Sequence, residues 1–432
     1  MLPHSAAAGP FLEAVSAALD GTGPAILPLD PALPGARLRE LLDAFAPAAI
    51  TTPEGTQRVA VPAGGGRPAR PGVGPGIAAV IATSGSTGRP KGVQLSAAAL
   101  RASAASSLAR IGAGPGQRWL CCLPVFHVAG LQVLVRSLLS GVAPLVSERV
   151  GPGEVAGAAG AHVSLVPTQL RRLLDAGAPL SELGTILLGG AAPAAGLVEE
   201  ARAAGARVVI TYGMSETCGG CVYDGLPLDG VRAELGQDAL IRIAGPVLFS
   251  GYWPGGDGGS LPGGPPGNCG PAADAAGAGA PAGAGGWFTT SDLGALDAEG
   301  RLIVRGRADD VINTGGEKVL PGEVESVLGT ISGVRDVVVI GSADPEWGEL
   351  VTAIVVPADP AAPPGLGVLR AGARDRLPGY AAPRRLLLVP EIPLLASGKP
   401  DRQALRSMAQ RSMAQRSMSA QIGKQGSDKI GQ

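Results

Sequence analysis

The sequence is poor in aromatic residues, in charge and in long apolar runs, and each shortage excludes a class of protein. Phe, Trp and Tyr form 3 % of the 432 residues while hydrophobic residues form 45 %, so small aliphatic side chains must build the core. No apolar run approaches the roughly 18 residues that a membrane-spanning helix needs. Charged residues form 16 % and the net charge is −1, which argues against a general nucleic-acid surface. No basic region precedes an apolar run at the N-terminus, so we expect a cytoplasmic protein of two or three domains.

Cysteine and histidine are too scarce for an obvious metal centre. The chain has five cysteines and three histidines, and an odd cysteine count without a secretion signal indicates reduced thiols. Cys218 and Cys221 have the CxxC spacing of a redox or half-zinc motif, but a closed zinc site would need further ligands. Two readings stay open, a redox or metal pair and two small packing residues. We favour packing because a lone CxxC is weak evidence.

Four segments share one pattern, a short apolar run that ends in a Gly or Ser/Thr cluster before a helix-like stretch. They are IAAVIATSG (77–85), HVSLVPTQL (162–170), TILLGGAA (185–192) and RVVITYGMSE (207–216). Apolar strands that alternate with helices predict parallel sheets covered on both faces. Ligands bind at the carboxyl ends of such strands, so the polar clusters predict a site before any family is considered.

The chain divides into a large and a small domain. We predict the fold class α/β, with a large N-terminal domain over 1–307 of layered, mostly parallel sheets with helices. A small mobile C-terminal α+β domain follows over 308–405. Its sequence predicts strands at 334–341 and 350–357 and helices at 321–329 and 367–377.

Two low-complexity segments interrupt or follow these domains. Residues 254–286 contain almost no large apolar side chain, which predicts a surface insert that cannot offset its own ordering entropy. The tail at 406–432 repeats RSMAQ too briefly for a solenoid. We predict a disordered or weakly helical extension there.

The segment TSGSTGRPKG (83–92) directly follows a predicted strand. Its Gly and Ser/Thr residues leave backbone N–H groups free to surround phosphate oxygens, and Lys91 adds a positive charge. The segment is not a Walker loop, because Pro90 and Gly92 flank the lysine. A generic Gly/Ser loop is the alternative for this segment taken alone.

The same run resembles the phosphate loop of the adenylate-forming superfamily, which contains acyl-CoA synthetases, luciferases and peptide-synthetase adenylation domains. Four more segments resemble motifs of that superfamily in its order: YGMSET (212–217), GWFTTSDLG (286–294), GRADDVIN (306–313) and PLLASGKP (393–400). The resemblance implies an ATP-dependent ligase that forms an acyl-adenylate and passes the acyl group to coenzyme A. It implies a small-molecule carboxylic acid, ATP and coenzyme A as substrates, Mg²⁺ as cofactor, and a homodimer as a family-level expectation.

The resemblance also assigns roles to residues. Contacts with ATP are implied for Thr83, Ser84, Gly85, Ser86, Thr87, Gly88, Lys91, Gly189, Gly190, Ala191, Tyr212, Gly213, Met214, Ser215, Thr217, Asp292 and Arg307. Lys399, His127 and Glu216 would be catalytic, Glu216 also as the Mg²⁺ ligand, and Asp309 would be the hinge. Gly315, Gly316 and Lys318 would line the coenzyme A tunnel, although a simple β-turn explains the glycine pair equally well.

The chemistry of these side chains agrees with the roles. Lys399 can neutralise the two negative charges that come together when a carboxylate attacks a phosphate. Glu216 offers the hard oxygen ligands that Mg²⁺ prefers, and Asp292 can accept from ribose hydroxyls. Arg307 donates in a planar fork to ribose or phosphate. Each residue also has an ordinary surface or turn role, and the joint occurrence favours the functional one.

The acid is the least specified part. Segments 123–136, 163–174 and 211–231 resemble the o-succinylbenzoate–CoA ligases of menaquinone biosynthesis, of actinobacterial type. That resemblance implies an acid pocket lined by His127, Thr168, Gly190 and Ser215. Another aryl- or medium-chain acyl-CoA ligase, a carrier-loading adenylation domain and a non-catalytic nucleotide-binding relative are the alternatives.

Overall fold

The computed structural model describes residues 5–52, 55–58, 72–84, 90–253, 286–395 and 399–412. The insert predicted at 254–286, except for its last residue, and the tail beyond 412 lie outside the described residues. Within the described ranges, no helix is both long and apolar enough to cross a membrane.

The described helices are mostly short and lie at the boundaries that local sequence signals favour. For example, the Ser96 hydroxyl accepts a hydrogen bond from the Ala99 N–H at 3.1 Å, and Gly112 ends the same helix in the left-handed conformation. The helices are α1 Ser5–Asp20, α2 Gly35–Phe45, α3 Ala97–Ile111, α4 Val128–Ser140, α5 Pro152–Gly157, α6 Pro167–Asp175, α7 Leu197–Ala203, α8 Pro321–Leu328, α9 Leu366–Arg374 and α10 402–412.

The strands are listed here in chain order. They are β1 Ala49–Thr52, β2 Gly55–Arg58, β3 Ile77–Ser84, β4 Pro90–Ser96, β5 Trp119–Cys121, β6 Leu145–Val146, β7 His162–Leu165, β8 Ile186–Leu188, β9 Val208–Met214, β10 Gly219–Tyr223, β11 Leu226–Pro227, β12 Arg232–Leu235, β13 Leu240–Ala244, β14 Gly251–Trp253, β15 Trp287–Leu296, β16 Leu302–Arg307, β17 Ile312–Thr314, β18 Glu317–Val319, β19 Val334–Asp344, β20 Gly348–Pro357 and β21 Arg385–Leu388.

A seven-stranded sheet forms the centre of the large domain, in the order β11-β10-β9-β8-β7-β5-β6. The pairs from β9 to β6 are parallel, and β10 and β11 add an antiparallel edge. Side chains alternate across the sheet, so Leu120 packs into the cluster that includes α6 and α7, whereas Cys121 packs into the cluster that includes α3 and α4. Both faces of the sheet are therefore covered, as the continuous apolar runs predicted.

The sequence was wrong about the direction of one strand. We expected 77–85 to join a parallel sheet, but β3 pairs antiparallel with β4 in a three-stranded sheet ordered β14-β4-β3. Another antiparallel sheet has four strands in the order β12-β13-β15-β16. The fold class α/β is confirmed, but the mostly parallel arrangement holds only for the seven-stranded sheet. An apolar run predicts that a strand is buried, but it does not predict the direction of the neighbouring strand.

The small domain has the predicted α+β composition. Strands β19 and β20 pair along ten registered positions, β21 adds to β20 in parallel, and α8 and α9 cover one face. Helix α10 covers the other face, where Leu405 is fully buried. The helix crosses the predicted boundary at 405, because Arg402 bonds Glu325 at 2.9 Å and Arg406 bonds Asp310 at 3.2 Å.

Two ion pairs join the domains in the orientation seen here. The Arg335 guanidinium on β19 lies 3.1 Å from the Asp175 carboxylate at the end of α6. The Arg305 Nε on β16 donates to Glu323 on α8 at 2.6 Å. Both pairs keep solvent contact, so each one is worth about 0–1 kcal/mol.

Candidate active site

The carboxyl ends of four neighbouring parallel strands meet at one edge of the central sheet. His127 follows β5, Thr168 follows β7, Gly190 follows β8, and Ser215 follows β9. These strands are adjacent in the sheet order, so their end loops lie side by side. The structure thus brings together the residues that the sequence assigned to the acid pocket, and Gly189 and Ala191 lie in the same loop as Gly190.

Tyr212 and Asp292 form a hydrogen-bonded pair at this edge. The Tyr212 hydroxyl donates to Asp292 Oδ2 at 2.8 Å, which ties β9 to β15. Burial and then the Asp292 charge raise the pKa of Tyr212, so the phenol keeps its proton and donates. Arg307 Nη1 lies 3.9 Å from Asp292 Oδ1 and its Nη2 donates to Asp309 at 3.2 Å. Burial works to lower the pKa of Arg307, but Asp292 and Asp309 outweigh it, so the guanidinium stays charged.

A second carboxylate is fixed by an aromatic residue that the sequence analysis missed. The Tyr252 hydroxyl donates to Glu216 Oε1 at 3.0 Å, and Lys91 Nζ lies 3.1 Å from the centroid of the Tyr252 ring. Burial lowers the pKa of Lys91, while the Glu216 charge opposes that shift. The available signal was the aromatic pair after Gly251, but nothing local to it shows that β14 pairs with the strand that carries Lys91.

The loop expected to hold phosphates is described only at its two ends. Thr83 pairs with Lys91 across the β3–β4 hairpin, and the Thr83 hydroxyl donates to the Lys91 carbonyl at 3.1 Å. The predicted contacts of Gly85, Ser86, Thr87 and Gly88 lie outside the described residues, as does the side chain of Ser84. The hairpin nevertheless fixes where the loop begins and ends.

The turn after β9 is less open than the sequence suggested. Gly213 has no room for a side chain, because a Cβ there would collide with the Gly219 carbonyl. Thr217 is 0 % exposed, and its hydroxyl donates to the Gly219 carbonyl at 2.7 Å and accepts from the Met214 N–H at 2.9 Å. The Thr217 side chain therefore stabilises the turn, and its expected ATP contact stays a prediction.

Lys399 reaches this edge from the small domain. Its Cε lies 4.0 Å from the position of a Cβ built on Gly190, so the lysine passes at van der Waals distance from that loop. The lysine keeps solvent contact, yet the surrounding protein lowers its pKa by desolvation, and Asp292 and Glu216 raise it again while Arg307 lowers it. The charges that act on Lys399 are thus the same ones that were assigned to nucleotide and metal.

His127, which the sequence predicts at the acid pocket, has a buried ring nitrogen without a partner in the described part of the chain. It precedes α4, its ring lies 4.7 Å from the Phe126 ring, and its Nε2 is buried without a hydrogen-bond partner among the described residues. Burial first, and then the Lys399 charge, lower the pKa of His127, so the ring is neutral near pH 7. A buried unpaired nitrogen costs about 1–3 kcal/mol until a partner is supplied.

Comparison with known proteins places this arrangement in a family. A model described as AMP-binding enzyme matches residues 67–253, and one described as AMP-binding enzyme C-terminal domain matches residues 323–399. A probable 2-succinylbenzoate–CoA ligase from Mycobacterium tuberculosis (strain CDC 1551 / Oshkosh) is 44 % identical over 343 residues, which span 76 % of this chain and 84 % of that protein. The chain belongs to the AMP-binding enzyme family.

Two solved structures of this AMP-binding family agree with the assignment. The o-succinylbenzoate CoA synthetase from Bacillus subtilis in complex with the acyl-adenylate intermediate OSB-AMP is 30 % identical, with a TM-score of 0.63 over 76 % of this chain and 69 % of that chain. The same enzyme in complex with ATP and magnesium ion is 30 % identical, with a TM-score of 0.61 over 75 % and 68 % of the two chains.

The glycine pair of the small domain of this AMP-binding enzyme forms a tight turn. Gly315 and Gly316 connect β17 to β18 with φ of +61° and +88°, a two-residue hairpin turn that side chains disfavour. Gly315 also packs against the Trp347 ring, so a Cβ there would lie 2.7 Å from Trp347 Cε3. Lys318 is exposed on β18. Turn geometry explains the pair, and the tunnel role stays a prediction.

The CxxC cysteines are packing residues by their surroundings. Cys218 and Cys221 are both 0 % exposed and unpaired. Burial raises the pKa of Cys221 to about 12 and raises that of Cys218 further, so neither thiol ionises near neutral pH. No group of three or more candidate metal ligands occurs among the residues that the structure describes.

Proposed function

We propose that the chain is an ATP-dependent o-succinylbenzoate–CoA ligase, acting in the cytoplasm in menaquinone biosynthesis. The observation that supports this most is the approach of Lys399 from the small domain to Gly190, where the charges of Asp292 and Glu216 act on the lysine and its own charge acts on His127. The similarity to 2-succinylbenzoate–CoA ligases supports the choice of acid. A homodimer is a further prediction, testable by sedimentation.

In the first half-reaction, a carboxylate oxygen of the acid attacks the α-phosphorus of ATP and pyrophosphate leaves. Asp292, held by Tyr212, would accept from the ribose hydroxyls, and Arg307 would donate to the nucleotide. Lys399 would bridge the attacking carboxylate and the phosphate, whose charges repel each other until a cation lies between them. Lys91 would add a second cation on the phosphate side.

Glu216 is suited to hold Mg²⁺. Its carboxylate is a hard oxygen donor, and the Tyr252 hydroxyl donates to Oε1, so within the described part of the chain lone pairs remain for a cation. Bound there with ATP, the ion would supply neutralisation of phosphate charge.

In the second half-reaction, the coenzyme A thiol loses its proton, its sulfur attacks the acyl carbon, and AMP leaves. Lys399 occupies the cleft in the orientation seen here, so a rotation about Asp309 would present the Gly315–Gly316 turn instead. Asp309 is exposed and lies in the 3-10 segment Ala308–Asp310 between β16 and β17, where the chain passes from one domain to the other.

The acid would lie against His127, Thr168, Gly190 and Ser215. An acid with a ketone and a second carboxylate offers acceptors to a neutral imidazole N–H, which an aliphatic chain does not. The unpaired Nε2 of His127 therefore favours a polar aryl acid over a fatty acid.

The test is release of AMP and pyrophosphate by purified protein with ATP, Mg²⁺ and coenzyme A across a panel of acids. The panel would contain o-succinylbenzoate, benzoate, a hydroxybenzoate, and straight-chain acids from acetate to dodecanoate. We expect strong preference for o-succinylbenzoate. Preference for another acid would support the ligase activity and contradict the role in menaquinone biosynthesis. No turnover with any acid, despite ATP binding, would support a non-catalytic relative.

A further inference from the structure

Tyr252 separates two opposite charges of the site. Strand β14 pairs with β4 so that Tyr252 faces Val93, two residues after Lys91. From that place its hydroxyl bonds Glu216 and its ring lies under the Lys91 ammonium. The Phe249 ring lies 4.8 Å from the Tyr252 ring, and the Phe249 N–H donates to the Glu216 carbonyl at 2.9 Å. The position of Tyr252 is therefore fixed from three sides.

Lys91 and Glu216 are close enough to influence each other, since the Glu216 charge acts on the Lys91 ammonium. The described contacts nevertheless include no ion pair between them within 4 Å. The aromatic ring offers the ammonium a π face, worth about 0.5–2 kcal/mol, and the hydroxyl offers the carboxylate a donor. Each charge thus has a neutral partner, and the two do not neutralise each other.

We propose that Tyr252 is a positioning residue that holds Lys91 and Glu216 apart and oriented, so that the lysine is free for phosphate and the carboxylate for the divalent cation. The inference rests on the proposed function, because it assumes that MgATP binds at this edge. It assigns the hydroxyl to Glu216 and the ring to Lys91, and two substitutions separate these parts. Tyr252→Phe keeps the ring and removes the hydroxyl, and Tyr252→Leu removes both.

The experiment is equilibrium binding of a fluorescent ATP analogue, titrated with MgCl₂ in the absence of any acid. Tyr252→Phe should raise the half-saturating Mg²⁺ concentration about tenfold and change metal-free nucleotide affinity little, because a hydrogen bond to a charged group is lost at Glu216 alone. Tyr252→Leu should also weaken nucleotide affinity at saturating Mg²⁺ by about five- to tenfold, because Lys91 can then pair with Glu216. The KM for the acid should change less than twofold in Tyr252→Phe.

The matched control is Tyr223→Phe. Tyr223 is also a tyrosine of the large domain, and it is buried. Its hydroxyl forms a hydrogen bond of 2.7 Å with the Ser107 hydroxyl and takes no part in the proposed site. This variant should lower the melting temperature and leave the Mg²⁺ dependence unchanged.

Two results overturn the inference: an unchanged half-saturating Mg²⁺ concentration in Tyr252→Phe, or an equal shift in Tyr223→Phe. Failure of the wild-type protein to bind the ATP analogue at all would instead overturn the proposed function. The two failures are thus distinguishable in one titration series.

Discussion

The two sides of the cleft differ in how their polar groups are paired. On the nucleotide side, Tyr212 bonds Asp292 and Tyr252 bonds Glu216, so both carboxylates are oriented before a ligand arrives. On the acid side, the His127 Nε2 is buried and has no partner among the described residues. Under the proposed function, a site that meets the same nucleotide every time can be completed by the protein, whereas His127 would leave a polar atom for the acid to pair. Preorganisation thus serves the common substrate, and an unpaired group serves selectivity.

Removing Lys399 should have the largest effect, because its charge interacts with Asp292 and Glu216 and also with His127. Lys399→Ala should slow formation of the acyl-adenylate by about 10²–10³-fold, as for loss of a preorganised electrostatic donor. The measurement is pyrophosphate release without coenzyme A. Lys318→Ala, an exposed lysine of the same domain, is the matched control and should leave this half-reaction unchanged. Near-normal pyrophosphate release by Lys399→Ala would refute its assignment.

The pH dependence of the same step should show which form of Lys399 works. Desolvation lowers the pKa of Lys399, and the required form is the protonated one. Activity is therefore present below that pKa and lost as pH rises through it, about tenfold per pH unit, at a pH below the ordinary lysine value of about 10.4. Lys399→Arg should abolish this alkaline limb, because arginine does not titrate there. An alkaline limb retained in Lys399→Arg would assign it to another group.

Substitution of His127 should affect the acid side alone. His127→Ala removes the unpaired nitrogen, and we expect the KM for o-succinylbenzoate to rise about tenfold while the KM for ATP changes less than twofold. His127→Gln should restore part of the acid affinity, because its amide can reach with a donor and an acceptor. Because the pKa of His127 is lowered by burial and by Lys399, the wild-type KM for the acid should not change between pH 7 and pH 8 through this ring. A rise in the KM for ATP instead would place His127 on the nucleotide side.

The residues of the site were also unequally predictable from the sequence. The motifs carry Asp292, Glu216 and Lys399 because each occupies a fixed place in a short run of the chain. The sequence analysis missed Tyr252 because it lies 36 residues after Glu216 and contacts Lys91 through the pairing of β14 with β4. Similarly, β3 was assigned to a parallel sheet, since hydrophobicity specifies burial and leaves strand direction to the whole topology.

The fold shows the same limit at the N-terminus. Helix α1, for which the sequence analysis made no prediction, has Pro10 inside it and packs against β3 and α4, with Val15 and Leu19 buried in the core. In the small domain, by contrast, β19, β20, α8 and α9 lie close to the predicted ranges, because each corresponds to one short apolar or helix-like run of the sequence. The sequence thus predicts single helices and strands well and contacts between distant elements poorly.

Replacing the two CxxC cysteines should have the smallest effect on the site. Cys218 and Cys221 lie directly behind the turn that carries Glu216, fully buried and with thiols kept protonated by that burial. The double variant Cys218→Ala/Cys221→Ala loses only packing, so we expect a melting temperature lower by a few degrees, corresponding to about 1–2 kcal/mol, and ligation within twofold of wild type. The measurements are thermal unfolding and acyl-CoA formation, both repeated after treatment of the wild type with a thiol reductant and with an oxidant. A large loss of ligation without a change in melting temperature would contradict packing and show that order on the nucleotide side depends on these thiols. Retained ligation would mean that this order comes from the charged and aromatic contacts in the cleft.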